Sequence, residues 1–258
     1  MVPIIEHGTW RLEPGDEGPH PVGSEQLWNE SWYWAYLVRN GAPLVLVADN
    51  DAPLPDAGHG GPEGADSRLV TAGGVYPYRA MSRYEVPASV DGTIRLGDEH
   101  IRFSGYGERD HSWGERDWWN LSWLWTAGRL HDGTAFHGVQ ANLGFALAWP
   151  SFLRVPDGTL SHRDGFRAAT RFGPDDFPAF SELALGGLDL TVTPPHFAPV
   201  VMTSPDGRLA HFPRAMCRFE AADGRAGYRW TEWHRPPGWQ RHDWTAAQAG
   251  TLRQEPTT

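Results

Sequence analysis

An all-β chain, folded as antiparallel barrel or sandwich lobes, is what this sequence predicts, and three observations predict it. Dipeptides that accept the positive φ angles of hairpin turns recur throughout: Asn40-Gly41, Asp91-Gly92, Asp132-Gly133, Asp157-Gly158, Asp164-Gly165, Gly186-Gly187, Asp206-Gly207 and Asp223-Gly224. The runs between them are short and strand-like, and helical periodicity bounded by caps is scarce. Many short strands with frequent turns point to barrels or sandwiches rather than to a layered α/β fold.

In chain order, residues 27–38, LWNESWYWAYLV, carry large side chains at both parities. This predicts a strand buried on both faces, returned by Asn40-Gly41 to Leu44–Val47. The strand holds Trp28, Asn29, Glu30 and Trp34, and a buried Glu30 requires a partner such as Arg109 or Arg116. Residues 51–67 read as a Gly/Pro-rich polar loop with no assignable chemistry. Ile94–Leu96 and Ile101–Phe103 form a hairpin closed by Gly97-Asp98, and Leu188–Thr193 alternates apolar and polar as a half-buried strand does. Two short helices are expected, over Asp175–Leu185 and Trp244–Leu252. The expected division is an N-terminal β-lobe over residues 1–85 and a second lobe over 86–258, which carries GERDHSWGERDWW and frays after about residue 245.

Composition narrows the functional classes. The 258 residues include 14 Trp, 11 Phe and 7 Tyr, so aromatic rings must fill much of the core or line a cavity. A formal net charge of -10 with no basic stripe argues against nucleic-acid binding and against anionic membranes. The sequence contains no lysine, which removes Schiff-base catalysis, a P-loop and pyridoxal phosphate attachment together. The single cysteine, Cys217, is expected to be a buried, inert thiol, since one cysteine supports neither an internal disulfide nor a Cys-rich zinc site. MVPIIEHGTW lacks the basic flank and apolar core of a signal peptide, and no window reaches the apolar length of a membrane span. A cytoplasmic protein is expected.

The chemistry concentrates in residues 105–125, GYGERDHSWGERDWWNLSWLW. Gly105, Gly107 and Gly114 exclude a continuous helix, and the segment is expected to be bent. On a strand Asp110 and His111 point to opposite faces, so one faces a cavity while the other packs behind it, and sequence does not choose between them. The charges have two readings. Arg109 and Arg116 can bridge Glu108, Asp110, Glu115 or Asp117 and pin the segment structurally. Alternatively, a carboxylate among indoles acts as a general acid, Asp110 being the best placed, with ring faces sheltering the cation formed when an alkene is protonated.

The run from Gly105 to Trp118 resembles the motif G-x-G-E/Q-R-D-H-S-W-G-x-R-D-W of a group of lipocalin-like proteins. That group holds carotenoid hydratase (hydroxyneurosporene synthase), fungal kievitone hydratase-like proteins and lipocalin-like Diels-Alderases. LWNESWYWAYL and the late GYRWTEW, residues 227–233, resemble the same group. The resemblance implies two lipocalin-like (calycin-type) lobes and a cavity for a terpenoid, polyene or polyketide-like molecule. It further implies Asp110 as proton donor, His111 as its orienting partner or the group that positions water, and a wall of Trp113, Trp118 and Trp119, with Trp34 and Tyr106 as further contacts. No cofactor is implied.

Glu232 is a second candidate catalytic carboxylate, or else it bridges Arg235 or Arg229. His131 and His137 flank the Asp132-Gly133 turn and can meet across a hairpin, but a pair without a third ligand of defined spacing is poor evidence for metal, and none is expected. Three other readings stand beside hydration. A pericyclase would use the same cavity for positioning, a carrier would hold the ligand without chemistry, and a carbohydrate-active protein would use indoles and paired acids on sugars.

Overall fold

The computed structural model describes residues 4–10, 20–21, 28–38, 64–71, 74–76, 82–115, 118–119, 122–142, 146–148, 151–163, 166–204 and 206–241. These form strands and turns, with no α-helix among the described residues. The all-β expectation holds. Two units divide at the motif, Met1–Arg116 and Asp117–Thr258, while residue 85, where the sequence suggested a division, falls within a strand.

Among the described residues the N-terminal unit has two three-stranded antiparallel sheets. β1 (Ile4–Trp10), β3 (Gly64–Thr71) and β4 (Gly74–Tyr76) form one in that order. In the other, β6 (Glu99–Glu115) lies between β2 (Trp28–Val38) and β5 (Ser82–Leu96). The hairpin at Gly97-Asp98 is as expected: Leu96 pairs Glu99 and Gly97 has φ 59°. Asp91-Gly92 does not turn. It lies within β5, where Gly92 pairs Phe103, and a Cβ on Gly92 would stand 2.6 Å from the Phe103 ring, so the glycine makes room for the aromatic. The return of β2 through Asn40-Gly41 to Leu44–Val47, and the burial of both its faces, lie outside the described residues.

Among its described residues the C-terminal unit has a large curled sheet. Its strands are β7 (Ser122–Leu130), β8 (Ala135–Asn142), β10 (Ser151–Arg154), β11 (Leu160–Arg163), β12 (Arg167–Phe172), β13 (Pro178–Leu185), β14 (Leu188–Phe197), β17 (Arg214–Ala221) and β18 (Ala226–His234). They follow the spatial order β11-β10-β8-β7-β18-β17-β14-β13-β12, with β9 (Ala146–Ala148) also on β8. β15 (Val200–Thr203) and β16 (Leu209–Phe212) form a separate hairpin.

One turn recurs in this unit. At Leu130–Thr134, Val155–Thr159, Ser204–Arg208 and Ala221–Arg225 the first and fifth residues share a backbone hydrogen bond, and the glycine of Asp-Gly donates back to the first carbonyl. Each of those glycines has φ between 85° and 96°, the left-handed position of a hairpin that ends in a bulge. The expected helix at Asp175–Leu185 is instead a turn followed by β13. Asp175 Oδ1 accepts the Phe177 N–H at 3.1 Å, and Ser181, Leu183 and Leu185 then alternate inward. The helix expected over Trp244–Leu252 lies outside the described residues.

Inward parity on the curled sheet packs Leu124, Leu130, Phe136, Leu183, Leu190, Val192, Cys217, Phe219 and Trp233 into one core. The sheet curls far enough for a side chain to join distant strands. Gln140 of β8 accepts the Ala168 N–H at 2.8 Å and donates to the Ala168 carbonyl at 3.2 Å, so it takes the place of a neighbouring strand for β12. Phe166 lies on Gly138, where a Cβ would meet the ring at 2.5 Å. Across the interior, Trp233 Nε1 donates to the hydroxyls of Thr170 and Ser181, each at 3.1 Å.

Candidate functional site

β6 carries the motif as a continuous strand as far as Glu115, and part of the remaining segment in which a bend was expected, residues 116–117 and 120–121, lies outside the described residues. The glycines of β6 do not break it because both edges are paired in regular register, Gly105–Glu115 with Val38–Trp28 and Glu99–Trp113 with Leu96–Ser82. Strict alternation follows. Tyr106, Glu108, Asp110 and Ser112 occupy one face, and His111 and Trp113 the other.

Asp110 is half-buried, with Oδ1 out of contact with solvent, and its register partners are Tyr33 on β2 and Glu85 on β5. Glu108 and Ser112 flank it and are buried, while Tyr106 is 39% exposed. His111 is fully buried. Its ring lies 4.8 Å from Trp113 and 5.5 Å from His20, and His20 stacks on Trp113 at 3.9 Å and 7°. Trp113 therefore backs His111 and does not wall Asp110, and Tyr106 is the only expected contact residue described on the acid's face. His20 carried no signal in the sequence, being an isolated histidine between prolines and glycines.

The side chains of Glu30, Trp34 and Arg109, and the whole of Arg116 and Asp117, lie outside the described residues, so the ion pairs expected among them do as well. Backbone register places Glu30 opposite Trp113 and Trp34 opposite Arg109.

The C-terminal unit holds a second concentration of the expected residues. Trp118 packs on Trp123 and Phe212, both at 5.4 Å, and His234 stacks on Trp123 at 3.7 Å. The Arg208 guanidinium lies 5.8 Å over Trp119. Glu232 bridges neither Arg235 nor Arg229. Its partner is Arg214, opposite in register on β17, with Nε 3.0 Å from Glu232 Oε1, and Trp230 Nε1 donates to the same oxygen at 3.1 Å. Arg235 instead donates to the Asp176 carbonyl.

His131 and His137 do not meet: His131 is exposed near Tyr228, and His137 is buried between Trp125 and Phe152. Among the described residues no three His, Cys, Asp or Glu side chains gather as metal ligands would. Cys217 is buried as expected, and burial pushes its thiol up to about 12 against the weaker opposing effect of Thr231. Arg214, Trp123, Phe212 and His234 were not anticipated. Reading GYRWTEWH with period two, which sets Trp230, Glu232 and His234 on one face, would have found His234.

Residues 59–237 match the model of a family described as a domain of unknown function, DUF7064. The chain belongs to that family. None of the curated proteins matches it significantly. Among solved structures, kievitone hydratase from Nectria haematococca is similar with a TM-score of 0.51 at 12% identity, covering 88% of this chain and 93% of that one. A protein of Nitrosomonas europaea assigned as AttH has a TM-score of 0.49 at 18% identity, with 69% of this chain matched to 62% of that chain, less than two thirds of its length. The similarity to the hydratase confirms a lipocalin-like β fold for the DUF7064 chain. No helix among the described residues is long and apolar enough to cross a membrane.

Proposed function

We propose that the protein binds a hydrophobic terpenoid, polyene or polyketide-like molecule and adds water to, or removes it from, one of its carbon–carbon double bonds, with Asp110 as general acid. The observation that carries this reading is the placement of Asp110. It is half-buried with one oxygen withdrawn from solvent, on a strand paired along both edges, so it is reachable and rigidly held. A fold shared with a protein named as a hydratase supports the same reading.

In the hydration direction the Asp110 carboxyl gives its proton to the less substituted alkene carbon, and the π pair becomes the new C–H bond. The tertiary cation left behind accepts a water oxygen, and the surplus proton on that oxygen returns to the Asp110 carboxylate. Atoms and charge balance with water alone, so no cofactor is needed. His111, buried on the opposite face, is a positioning residue that fixes the backbone behind the acid.

The test uses water labelled with oxygen-18 and a panel of unsaturated terpenoids and polyenes, with ligand binding followed by tryptophan fluorescence. Wild type should place label in an alcohol product, and Asp110→Asn should bind the ligand equally while losing about 100-fold or more in turnover. Full activity in Asp110→Asn removes Asp110 as the acid. Binding with no labelled product across the panel would favour a carrier.

A further inference from the structure

Beyond the last strand, residues 235–241 leave β18 and reach the turn between β12 and β13. Departure and landing lie at the same end of the curled sheet, where β12 finishes at Phe172, β14 at Phe197 and β18 at His234. In the sheet order β17 and β14 stand between β18 and the β13–β12 hairpin, and Trp239 packs against the core from partway along the segment. Residues 235–241 therefore cross the end of the interior as a strap.

The attachments of the strap are few and separable. At the near end the Arg235 N–H and carbonyl pair with those of His211 at 2.8 and 2.9 Å. Pro236 to Trp239 then make a turn closed by the Trp239 N–H on the Pro236 carbonyl at 3.1 Å, with Pro237 followed by Gly238 at φ 75°, the pair of residues that a type II turn favours. The far end rests on a single turn. Arg241 gives Nε to the Asp176 carboxylate and Nη2 to the Gly173 carbonyl at 2.9 Å, while Arg235 Nη1 donates to the Asp176 carbonyl at 2.7 Å.

The closed position also carries costs. The Trp239 ring lies 4.9 Å from Phe172 with the Arg235 guanidinium 5.2 Å above it, but Trp239 Nε1, out of contact with solvent, donates to no described acceptor. A buried donor without an acceptor is less stable than the same donor in water. Asp176 is the one non-glycine among the described residues with a positive φ, 64°, so the landing turn is held in a conformation that side chains disfavour. Against these costs the Arg241–Asp176 pair offers little, because it is 50% and 52% exposed. The strap is shut mainly by the packing of one indole.

We propose that residues 236–241 open and close over this end of the interior while the sheet stays folded, with Pro237-Gly238 as hinge and Asp176 as latch. Opening uncovers Phe172 and returns Trp239 Nε1 to water. The motion belongs to the C-terminal unit alone and does not depend on hydration at Asp110.

Exchange of indole N–H protons for deuterium, followed by NMR on protein with nitrogen-15 tryptophan, tests it. Trp239 and Trp233 are assigned through Trp239→Phe and Trp233→Phe, and Trp233, buried and bonded to Thr170 and Ser181, is the internal reference. In wild type Trp239 should exchange about 100-fold or more faster than Trp233, at a rate that low concentrations of urea leave unchanged while they accelerate Trp233. Asp176→Asn, which keeps a residue tolerant of positive φ, and Arg241→Gln should each speed Trp239 by about 2- to 5-fold, and the double variant should add nothing further because both break one pair. Gly238→Ala adds a Cβ that meets no atom within 4 Å, so only its φ is strained, and it should speed Trp239 by about 5-fold or more. Trp233 should hold its rate in all of these. Equal rates and equal urea dependence for the two indoles overturn the proposal, since the strap would then open only with the whole fold. A Trp239 rate unmoved by every variant also overturns it, since neither latch nor hinge would govern the exchange.

Discussion

At the residue scale, alternation decides what each side chain of the motif does. The sequence restricted Asp110 and His111 to opposite faces but could not say which was open. Buried His111, with half-buried His20 and Trp113 packed against it, closes one of those faces. Glu232 was legible as a charge among indoles, yet its partner was not, because Arg214 reaches it only through the register of β17 on β18. Trp233 shows what one indole contributes to the interior. In Trp233→Phe the N–H that serves Thr170 and Ser181 is lost, but the two hydroxyls remain 2.8 Å apart and still satisfy each other. A cost of about 1 to 3 kcal/mol is expected in urea unfolding, from lost hydrogen bonding and a modest void. A loss above that range would mean the hydroxyl pair cannot reorganise.

At the element scale, turn chemistry was the most legible feature because Asp-Gly acts locally. Asp91-Gly92 misled for the same reason that most others succeeded: the glycine fits a turn equally well and was kept for Phe103. The glycines of β6 were read as excluding a helix, and they lie in a strand that pairing on both edges holds extended. The junction of β8 with β12 had no sequence signature, since Gln140 becomes significant only when β12 arrives beside it. Gln140→Leu keeps the volume and strips both partners from Ala168, leaving a buried N–H and carbonyl unsatisfied. The expected destabilisation is about 2 to 6 kcal/mol, read from urea midpoints at unchanged slope. Gln140→Glu retains one acceptor and should fall between wild type and Gln140→Leu. Wild-type stability in Gln140→Leu would mean that the sheet does not depend on this junction.

At the scale of the whole molecule, the absence of lysine and the repeated Asp-Gly turns shape the response to pH. Four turn aspartates lie below the usual carboxylate range. Thr159 N–H lowers Asp157, the Ser204 hydroxyl and then Arg208 lower Asp206, and Arg225 lowers Asp223. For Asp132 burial pulls upward, but the Thr134 N–H and Arg225 outweigh it. Depressed folded values mean that this stabilisation is complete above the unfolded value of about 3.9 and is lost as pH falls through the folded values. The alkaline side runs oppositely. Arginines do not titrate there, and the Cys217 thiol, raised to about 12 from 9.0, stays protonated in the fold while the unfolded chain releases its proton. That contribution is complete below pH 9 and lost between pH 9 and 12. Tyrosines titrate in the same window, so the thiol is isolated by difference against Cys217→Ala. The melting temperature of wild type relative to Cys217→Ala should be constant from pH 6 to about 8.5 and fall steadily from about pH 9 to 11, as only wild type loses this contribution. The native thiol should also resist alkylation at pH 8, where an exposed cysteine reacts. Parallel melting curves together with rapid alkylation would place Cys217 outside the core and undo the packing of β17 against β14.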